Sequence, residues 1–130
     1  MKRGRCLCGA VGWAYEGPEN WQAHCHCDSC RRNTASPFTT FLGVPLAAFR
    51  WTGAEPATYR SSPGVRRRFC AACGTPVAYE ADRYPGEIHL YAAALENPAE
   101  ARPQAHVHVA EKLPWIVLAD DLPKHPRSGS

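Results

Sequence analysis

Seven cysteines in three short clusters constrain this 130-residue chain more than any other feature. The clusters have the spacings Cys-x-Cys, Cys-x-Cys-x-x-Cys and Cys-x-x-Cys, and their members are Cys6, Cys8, Cys25, Cys27, Cys30, Cys70 and Cys73. Zinc prefers tetrahedral sulfur and nitrogen ligands, and cysteines this close together can bind one ion from a single tight turn. Because an odd number of cysteines cannot all pair in disulfides, metal-bound thiolates in a reducing cytoplasm are the simpler explanation.

The composition predicts one mainly β domain in which a metal would add to a modest core. Twelve prolines and ten glycines favour many short elements over a few long helices. Runs with strand character are predicted at residues 11–15, 38–44, 58–60, 65–69, 77–79, 87–91 and 106–109. One helical turn is predicted after Cys27, where Asp28 and Ser29 are good N-caps, and a second at residues 45–49.

The two ends of the chain carry weaker signals. Residues 120–130 are polar and rich in proline, which predicts a surface tail, at its end disordered, after a domain spanning 1–119. No signal-peptide stretch follows the N-terminus and no segment reaches transmembrane length, so we expect a cytoplasmic protein without membrane contact. The formal net charge of +3 suits small acidic ligands as well as nucleic acid and does not decide between them.

The first and last cysteine pairs are predicted to form one closed site. A glycine follows each pair, Gly9 and Gly74, and lets the turn direct backbone amides toward the thiolates. Two such turns supply four thiolates for one structural zinc, from Cys6, Cys8, Cys70 and Cys73.

The middle cluster then has three ligands, Cys25, Cys27 and Cys30, and a vacant fourth position, which is typical of a reactive zinc site. Three thiolates on Zn²⁺ give a local charge of about −1, which weakens the ion as a Lewis acid toward water. Such a site is better suited to binding an incoming thiol. Arg31 and Arg32 would offset that charge and could hold carboxylates of an acidic ligand.

Two alternatives stay open for this cluster. His24 or His26 could close the site as a fourth ligand and leave it purely structural. Cys27 and Cys30 could also form a redox dithiol, although the βαβ context of thioredoxin-type proteins is missing.

Four motifs resemble those of the glutathione-dependent formaldehyde-activating enzyme family, which includes centromere protein V. They are Gly4-Arg5-Cys6-Leu7-Cys8-Gly9-Ala10-Val11, the run from Cys25 to Phe38, Arg68-Phe69-Cys70-Ala71-Ala72-Cys73-Gly74-Thr75-Pro76, and His106-Val107-His108-Val109 followed by Lys112-Leu113-Pro114-Trp115. One departure is Ala35, where the family pattern has glycine; the extra methyl matters only if that turn needs a positive φ.

The resemblance implies a β-tent of antiparallel sheets around a structural zinc, held by the first and last cysteine pairs, with the middle three cysteines holding a catalytic zinc. It also implies a carbon–sulfur lyase that joins formaldehyde to the thiol of glutathione. In that mechanism the bound thiolate attacks the aldehyde carbon and a nearby donor stabilises the alkoxide; the candidate donors are His26, Ser36 and Thr34. Lys112 is an anion contact by resemblance only.

Several other residues carry both a functional and a structural interpretation. Within the basic run, Arg66 and Arg68 should share one strand face and Arg67 the other, so the first two could form a carboxylate clamp or simply a solvated face. His106 and His108 could line a pocket or lie on an exposed edge strand. The four tryptophans are predicted to pack in or near the core: Trp13, Trp21, Trp51 and Trp115.

Two other functions are compatible with parts of this sequence. A zinc module that binds nucleic acid or a protein partner is supported by the basic run, but the small net charge and the lack of interleaved aromatics argue against it. A methionine-sulfoxide-reductase-like thiol enzyme needs a free cysteine, and all seven are assigned to metal. The sequence determines neither the thiol, nor the aldehyde, nor the oligomeric state.

Overall fold

The computed structural model describes residues 1–128, which form ten strands, one α-helix and four short 3-10 turns. The strands are β1 Lys2–Arg5, β2 Val11–Tyr15, β3 Trp21–Cys25, β4 Thr39–Pro45, β5 Phe49–Gly53, β6 Ala57–Ser62, β7 Val65–Phe69, β8 Pro76–Ala81, β9 Glu87–Tyr91 and β10 His106–Val107. Helix α1 spans Asp28–Thr34, and the 3-10 turns span Leu46–Ala48, Ala92–Ala94, Pro98–Glu100 and Val109–Glu111. The predicted mainly β architecture is confirmed.

The strands form two sheets. The smaller has the order β1-β2-β5, and the larger has the order β10-β3-β4-β9-β8-β7-β6. Neighbouring strands are antiparallel throughout, except that the short β10 runs parallel to β3 at the sheet edge. Short antiparallel strands joined by tight turns are what the dense proline and glycine punctuation favours.

The large sheet carries a different kind of side chain on each face, because successive residues of a strand point to opposite sides. Side chains on one face pack with those of strand β2 to form the main core. This buried cluster includes Trp13, Tyr15, Leu42, Val44, Ala78, Ile88 and Leu90. The other face carries a second cluster around the middle cysteines, with Cys25, Cys30, Phe41, Tyr79, Ala81 and Tyr91. The functional residues are therefore to be sought on this second face.

Helix α1 begins and ends as its local sequence dictates. The Cys27 sulfur caps the helix by accepting the backbone N–H of Cys30 at 3.3 Å, and Asp28 places a negative charge in the first turn. The helix ends at Ala35, which has a left-handed backbone with φ 54°. The turn that departs from the family pattern thus does need a positive φ, which costs an alanine more than a glycine.

Several details differ from the sequence predictions. Strands β1, β3 and β5 were missed, and the strand predicted at 106–109 ends at Val107 because His108 is left-handed, with φ 57°. The interior position predicted for Trp115 is wrong, since 67% of its surface is exposed, whereas Trp13 is buried and Trp21 and Trp51 are half-buried. The helical turn predicted at 45–49 is present as the 3-10 turn Leu46–Ala48.

The C-terminal segment lies along the edge strand β10. The His106 amide donates to the Pro123 carbonyl at 2.9 Å, and the His125 amide donates back to His106 at 2.8 Å. The part of the predicted tail that the structure describes, up to Ser128, is therefore exposed but hydrogen-bonded, and residues 129 and 130 lie outside the described range. The division into a domain over 1–119 and a tail over 120–130 stays a prediction.

No helix among the described residues is both long and apolar enough to cross a membrane.

Candidate metal centres and the adjoining cavity

The first and last cysteine pairs meet in one four-sulfur cluster. The sulfurs of Cys6, Cys8, Cys70 and Cys73 all lie within 4.8 Å of one another. Cys6 Sγ lies 3.7 Å from Cys8 Sγ, and Cys8 Sγ lies 3.8 Å from Cys70 Sγ. A tetrahedral zinc bound at about 2.3 Å from each sulfur sets neighbouring sulfurs about 3.8 Å apart. The donor set therefore fits a zinc ion, and the separations are far too long for disulfides.

Two tight turns build this cluster. The Val11 amide donates to Cys6 Sγ at 3.3 Å, and the Cys73 amide donates to Cys70 Sγ at 3.4 Å. Gly9 and Gly74 follow the pairs with φ of 82° and 80°, a backbone that glycine adopts at no steric cost. Cys6 and Cys70 are buried, so the cluster ties the small sheet to the turn between β7 and β8. This arrangement suits a structural site.

The middle cysteines form a three-sulfur cluster at the end of β3 and the start of α1. The sulfurs of Cys25, Cys27 and Cys30 all lie within 4.8 Å of one another. Hydrogen bonds from Cys25 and Cys30 lower the pKa of the Cys27 thiol, and those from Cys27 and Cys30 raise the pKa of Cys25. Three thiolates this close repel one another, so a divalent metal between them would stabilise the fully ionised set. The donor set fits zinc, with three protein ligands.

No histidine or carboxylate of the described residues joins this cluster within the same distance. His26 Nε2 lies 2.9 Å from His106 Nδ1, and His24 Nδ1 lies 2.8 Å from Thr40 Oγ1. His26 Nδ1 is buried without a hydrogen-bond partner among the described residues, but neither histidine lies within the distance that groups the three sulfurs, which argues against a closed site.

A cavity of about 1070 Å³ opens beside the three-sulfur cluster. Its lining includes Cys25, Cys27 and Cys30 together with Arg67 and Arg83, and aromatic side chains from β3, β4, β8 and β9. A cavity of this size has room for a tripeptide-sized ligand and a second reactant.

Arg67 contacts the three-sulfur cluster. Its Nη1 lies 3.9 Å from Cys30 Sγ, and its guanidinium lies over the Tyr79 ring at 5.0 Å. Burial opposes its charge, but the adjacent Cys30 thiol raises the pKa of the Arg67 guanidinium above its usual value. Arg83 lies over the Tyr84 ring, also at 5.0 Å. Among the described residues neither guanidinium has a carboxylate partner.

The cations singled out in the sequence lie in other surroundings. Four of them pair with acidic side chains: Arg31 and Arg32 with Asp28, Arg66 with Asp82, and Arg68 with Glu80. Lys112 Nζ donates to the backbone carbonyls of Leu113 and Ile116 at 3.1 and 2.6 Å. The predicted alternation in the basic run is correct, but the member that faces the cysteines is Arg67. Ligand contacts from the other five stay predictions.

The candidate alkoxide donors also lie away from this cavity. The Ser36 hydroxyl donates to the Phe38 carbonyl at 3.0 Å and lies 2.7 Å from Thr34 Oγ1. Both hydroxyls line a separate hollow of about 750 Å³ beside Cys6 and Thr75. His26 is fully buried, and burial lowers its pKa to about 4. The structure thus brings together the three cysteines but not these donors.

Sequence reasoning also missed a chain of polar contacts behind the cluster, which runs from buried His26 through His106 to the exposed Asp120. His106 is buried; its Nδ1 faces His26 and its Nε2 lies 2.8 Å from Asp120 Oδ2. The hydrogen bond from His106 lowers the pKa of Asp120 to about 2. The closing His-Val-His-Val motif could have indicated it, but the carboxylate comes from the segment predicted to be a tail. His108, in contrast, lines the cavity.

Comparison with known proteins places the chain in a family. Residues 1–111 match the family model described as glutathione-dependent formaldehyde-activating enzyme. The chain belongs to this family. The predicted resemblance is therefore confirmed, and the matched region contains both cysteine clusters.

Individual relatives are distant. A Halomonas elongata protein, provisionally named a glutathione-dependent formaldehyde-activating enzyme, is 26% identical over 91% of this chain and 81% of its own length. A Schizosaccharomyces pombe protein named an uncharacterized lyase is 31% identical over 68% of this chain and 65% of its own length. The crystal structure of a Rhodobacter sphaeroides protein matches with a TM-score of 0.62 and 25% identity, over 78% of this chain and 91% of that one. Family membership supports a lyase-type, formaldehyde-activating activity.

Proposed function

We propose that this chain is a zinc-dependent carbon–sulfur lyase that adds a low-molecular-weight thiol such as glutathione to formaldehyde or another small aldehyde. The observation that carries the proposal is the three-sulfur cluster of Cys25, Cys27 and Cys30 at a cavity of about 1070 Å³, with no fourth histidine or carboxylate ligand in the described chain. Cys6, Cys8, Cys70 and Cys73 would hold a second, structural zinc. Seven unpaired cysteines suit a reducing compartment, so we expect the enzyme in the cytoplasm.

A zinc ion at Cys25, Cys27 and Cys30 would supply the positive charge that keeps an incoming thiol ionised at neutral pH. The chain itself provides the binding and the electrostatics. Arg83 lines the cavity and has no carboxylate partner among the described residues, so it can hold a carboxylate of the thiol through paired N–H donors. Such contacts would position the thiol sulfur next to the three cysteines.

The reaction needs no redox partner. The sulfur attacks the carbonyl carbon, a C–S bond forms, and the π electrons of the C=O bond move to oxygen. The proton that the thiol gave up returns to that oxygen, so the product is the hydroxyalkyl thioether, and cleavage runs the same steps in reverse. Arg67, at 3.9 Å from Cys30 Sγ, is the donor placed to stabilise the negative oxygen.

The nucleic-acid or protein-binding alternative has less support. Arg66 and Arg68, the outer members of the basic run, each pair with an acidic side chain at 2.9 Å. The run is therefore largely neutralised within the sheet, and no observation points to a partner surface there.

Adduct formation can be followed by NMR exchange spectroscopy, because thiols and aldehydes also react without an enzyme. We expect the zinc-loaded protein to accelerate exchange between free and glutathione-bound formaldehyde well above the uncatalysed rate. Cys27→Ser should lose this acceleration and one zinc ion while keeping the fold. Thr58→Ala, at an exposed position of β6, is the control and should retain the full rate. A Cys27→Ser protein with the parent rate would overturn the proposal.

A further inference from the structure

Aromatic side chains cover the sheet face beside the three-sulfur cluster. Trp21 of β3, Phe41 of β4, His89 of β9 and Tyr84 after β8 all line the cavity, and we call these four residues the aromatic wall. The opposite face of β4, β8 and β9 already forms part of the main core. The outer face of an antiparallel sheet is normally polar, so an apolar surface on both faces needs an explanation.

The rings of the aromatic wall form one contiguous unit. The centroid of the His89 ring lies 4.6 Å from that of Trp21 and 4.9 Å from that of Tyr84. The Phe41 ring lies 6.1 Å from His89. His89 and Phe41 are buried, whereas Trp21 and Tyr84 are half-buried and present their remaining surface to the cavity. An apolar recess beside a reactive centre is a binding surface for an apolar group.

Dedicated contacts hold the wall in place. Glu87 Oε1 accepts the indole N–H of Trp21 at 3.0 Å and lies 2.7 Å from His89 Nε2, so one carboxylate fixes two rings. Gly43 lies directly under the indole, and a Cβ at that position would overlap the Trp21 ring. The chain thus gives up a side chain on β4 so that Trp21 can lie across the strand. A preorganised recess binds without the cost of ordering its side chains.

The reactants of the simplest reaction do not use this wall. Formaldehyde has one carbon and no apolar substituent, and a carboxylate of a glutathione-like thiol suits Arg83 instead. Resting on the proposed function, we infer that the carbonyl substrate carries an aromatic or similarly planar apolar substituent, which packs against Trp21 and Tyr84 while its carbonyl carbon faces the three cysteines. The chemical step is unchanged, since only the group attached to the carbonyl carbon differs.

Binding of two unreactive adduct analogues tests this inference separately from turnover. S-benzylglutathione and S-methylglutathione differ by one phenyl ring, and their affinity for the zinc-loaded protein is measured by calorimetry. We expect the benzyl compound to bind at least about ten-fold more tightly, because its ring replaces water on the aromatic wall. Tyr84→Ala should remove most of that difference, whereas Tyr59→Ala, an exposed tyrosine outside the cavity, should keep it.

Turnover gives the second readout. Relative to propanal, an aliphatic aldehyde of similar electrophilicity, phenylacetaldehyde should have a kcat/KM at least about ten-fold higher, and Tyr84→Ala should lower that ratio. Equal affinity of the two analogues, or an equal or lower kcat/KM for phenylacetaldehyde, overturns the aromatic inference and leaves the lyase proposal standing if formaldehyde is still turned over. If neither analogue binds and no aldehyde is consumed, both the inference and the proposed function fail.

Discussion

Arg67 Nη1 lies 3.9 Å from Cys30 Sγ, in a contact that joins the centre of strand β7 to helix α1. The partner strand sets this geometry, because Arg67 is opposite Tyr79 in the β7–β8 register and both side chains point toward the cysteines. Its sequence neighbours Arg66 and Arg68 point away and pair with Asp82 and Glu80. One arginine of three consecutive ones is thus placed at the candidate active site.

Replacing this arginine tests its role. We expect Arg67→Gln to lower kcat/KM for thiol addition about 10- to 100-fold, the equivalent of one charge-assisted hydrogen bond. Steady-state kinetics with glutathione and formaldehyde measure the loss. Arg60→Gln, at an exposed position on β6, is the matched control and should behave like the parent. A larger loss in Arg66→Gln than in Arg67→Gln would contradict this assignment and restore the clamp predicted from the sequence.

The two cysteine clusters should respond differently to the same substitution. Cys70→Ser removes a buried ligand of the four-sulfur cluster, so we expect one zinc per chain and an unfolding free energy lower by several kcal/mol. Cys27→Ser should also leave one zinc but a nearly unchanged thermal midpoint, since its cluster lies at the cavity rather than between the sheets. Metal analysis and thermal unfolding of both variants make the comparison. Equal destabilisation by the two substitutions would show that both sites are structural.

The left-handed residue at the end of α1 predicts a stabilising substitution. Ala35 has φ 54°, so Ala35→Gly should raise the free energy of unfolding by about 0.5 to 1 kcal/mol by relieving backbone strain. Urea unfolding measures the change. Ala47→Gly serves as the control, because Ala47 lies in the 3-10 turn Leu46–Ala48 with ordinary backbone angles and should be destabilised by glycine. A less stable Ala35→Gly protein would show that the alanine methyl makes a packing contact worth more than the strain.

Buried His89 makes stability depend on pH. Burial lowers the pKa of His89, although Glu87 opposes the shift. Below the unfolded-state pKa of about 6.5, the unfolded chain binds a proton at this position that the folded chain does not. The free energy of unfolding should therefore fall as the pH drops below that value and be insensitive to His89 above it.

An NMR titration of the His89 ring, assigned with His89→Gln, measures its pKa directly. We expect a value below that of an unfolded histidine, and a still lower one in Glu87→Gln, where the opposing carboxylate is absent. An unchanged or raised His89 pKa in Glu87→Gln would show that the carboxylate does not act on this imidazole.

The cysteine clusters could be predicted from the sequence because the ligands of each cluster are close together along the chain. Only the tertiary fold decides that the first and last pairs meet in one site. The residues around the clusters could not be predicted, because their faces depend on strand register. Nothing in the basic run indicates that Arg67 rather than its neighbours meets Tyr79 across β7 and β8. Likewise, His106 is buried only because Asp120 and the chain after it cover β10.

Helix α1 could be predicted because its start depends on local sequence, whereas the position of Trp115 depends on tertiary packing and could not. Asp28 and Ser29 predicted a helical start after Cys27, and the helix does begin there, but its N-cap is Cys27 itself, whose sulfur accepts the Cys30 amide. The position of Trp115 depends on what packs against a short loop, and here 67% of the side chain remains in solvent. Hydrophobicity alone therefore does not locate a residue in a chain of short elements.

The most direct test of the central claim is an optical titration of the cobalt-substituted protein with glutathione, under anaerobic conditions. Cobalt replaces zinc in thiolate sites and reports the number of coordinated sulfurs through its charge-transfer absorption. If the Cys25, Cys27 and Cys30 site accepts a thiol, absorption should rise with saturation at one glutathione per chain, and the rise should be absent in Cys27→Ser. A spectrum that glutathione leaves unchanged, in a protein carrying two cobalt ions, would contradict thiol binding at this site.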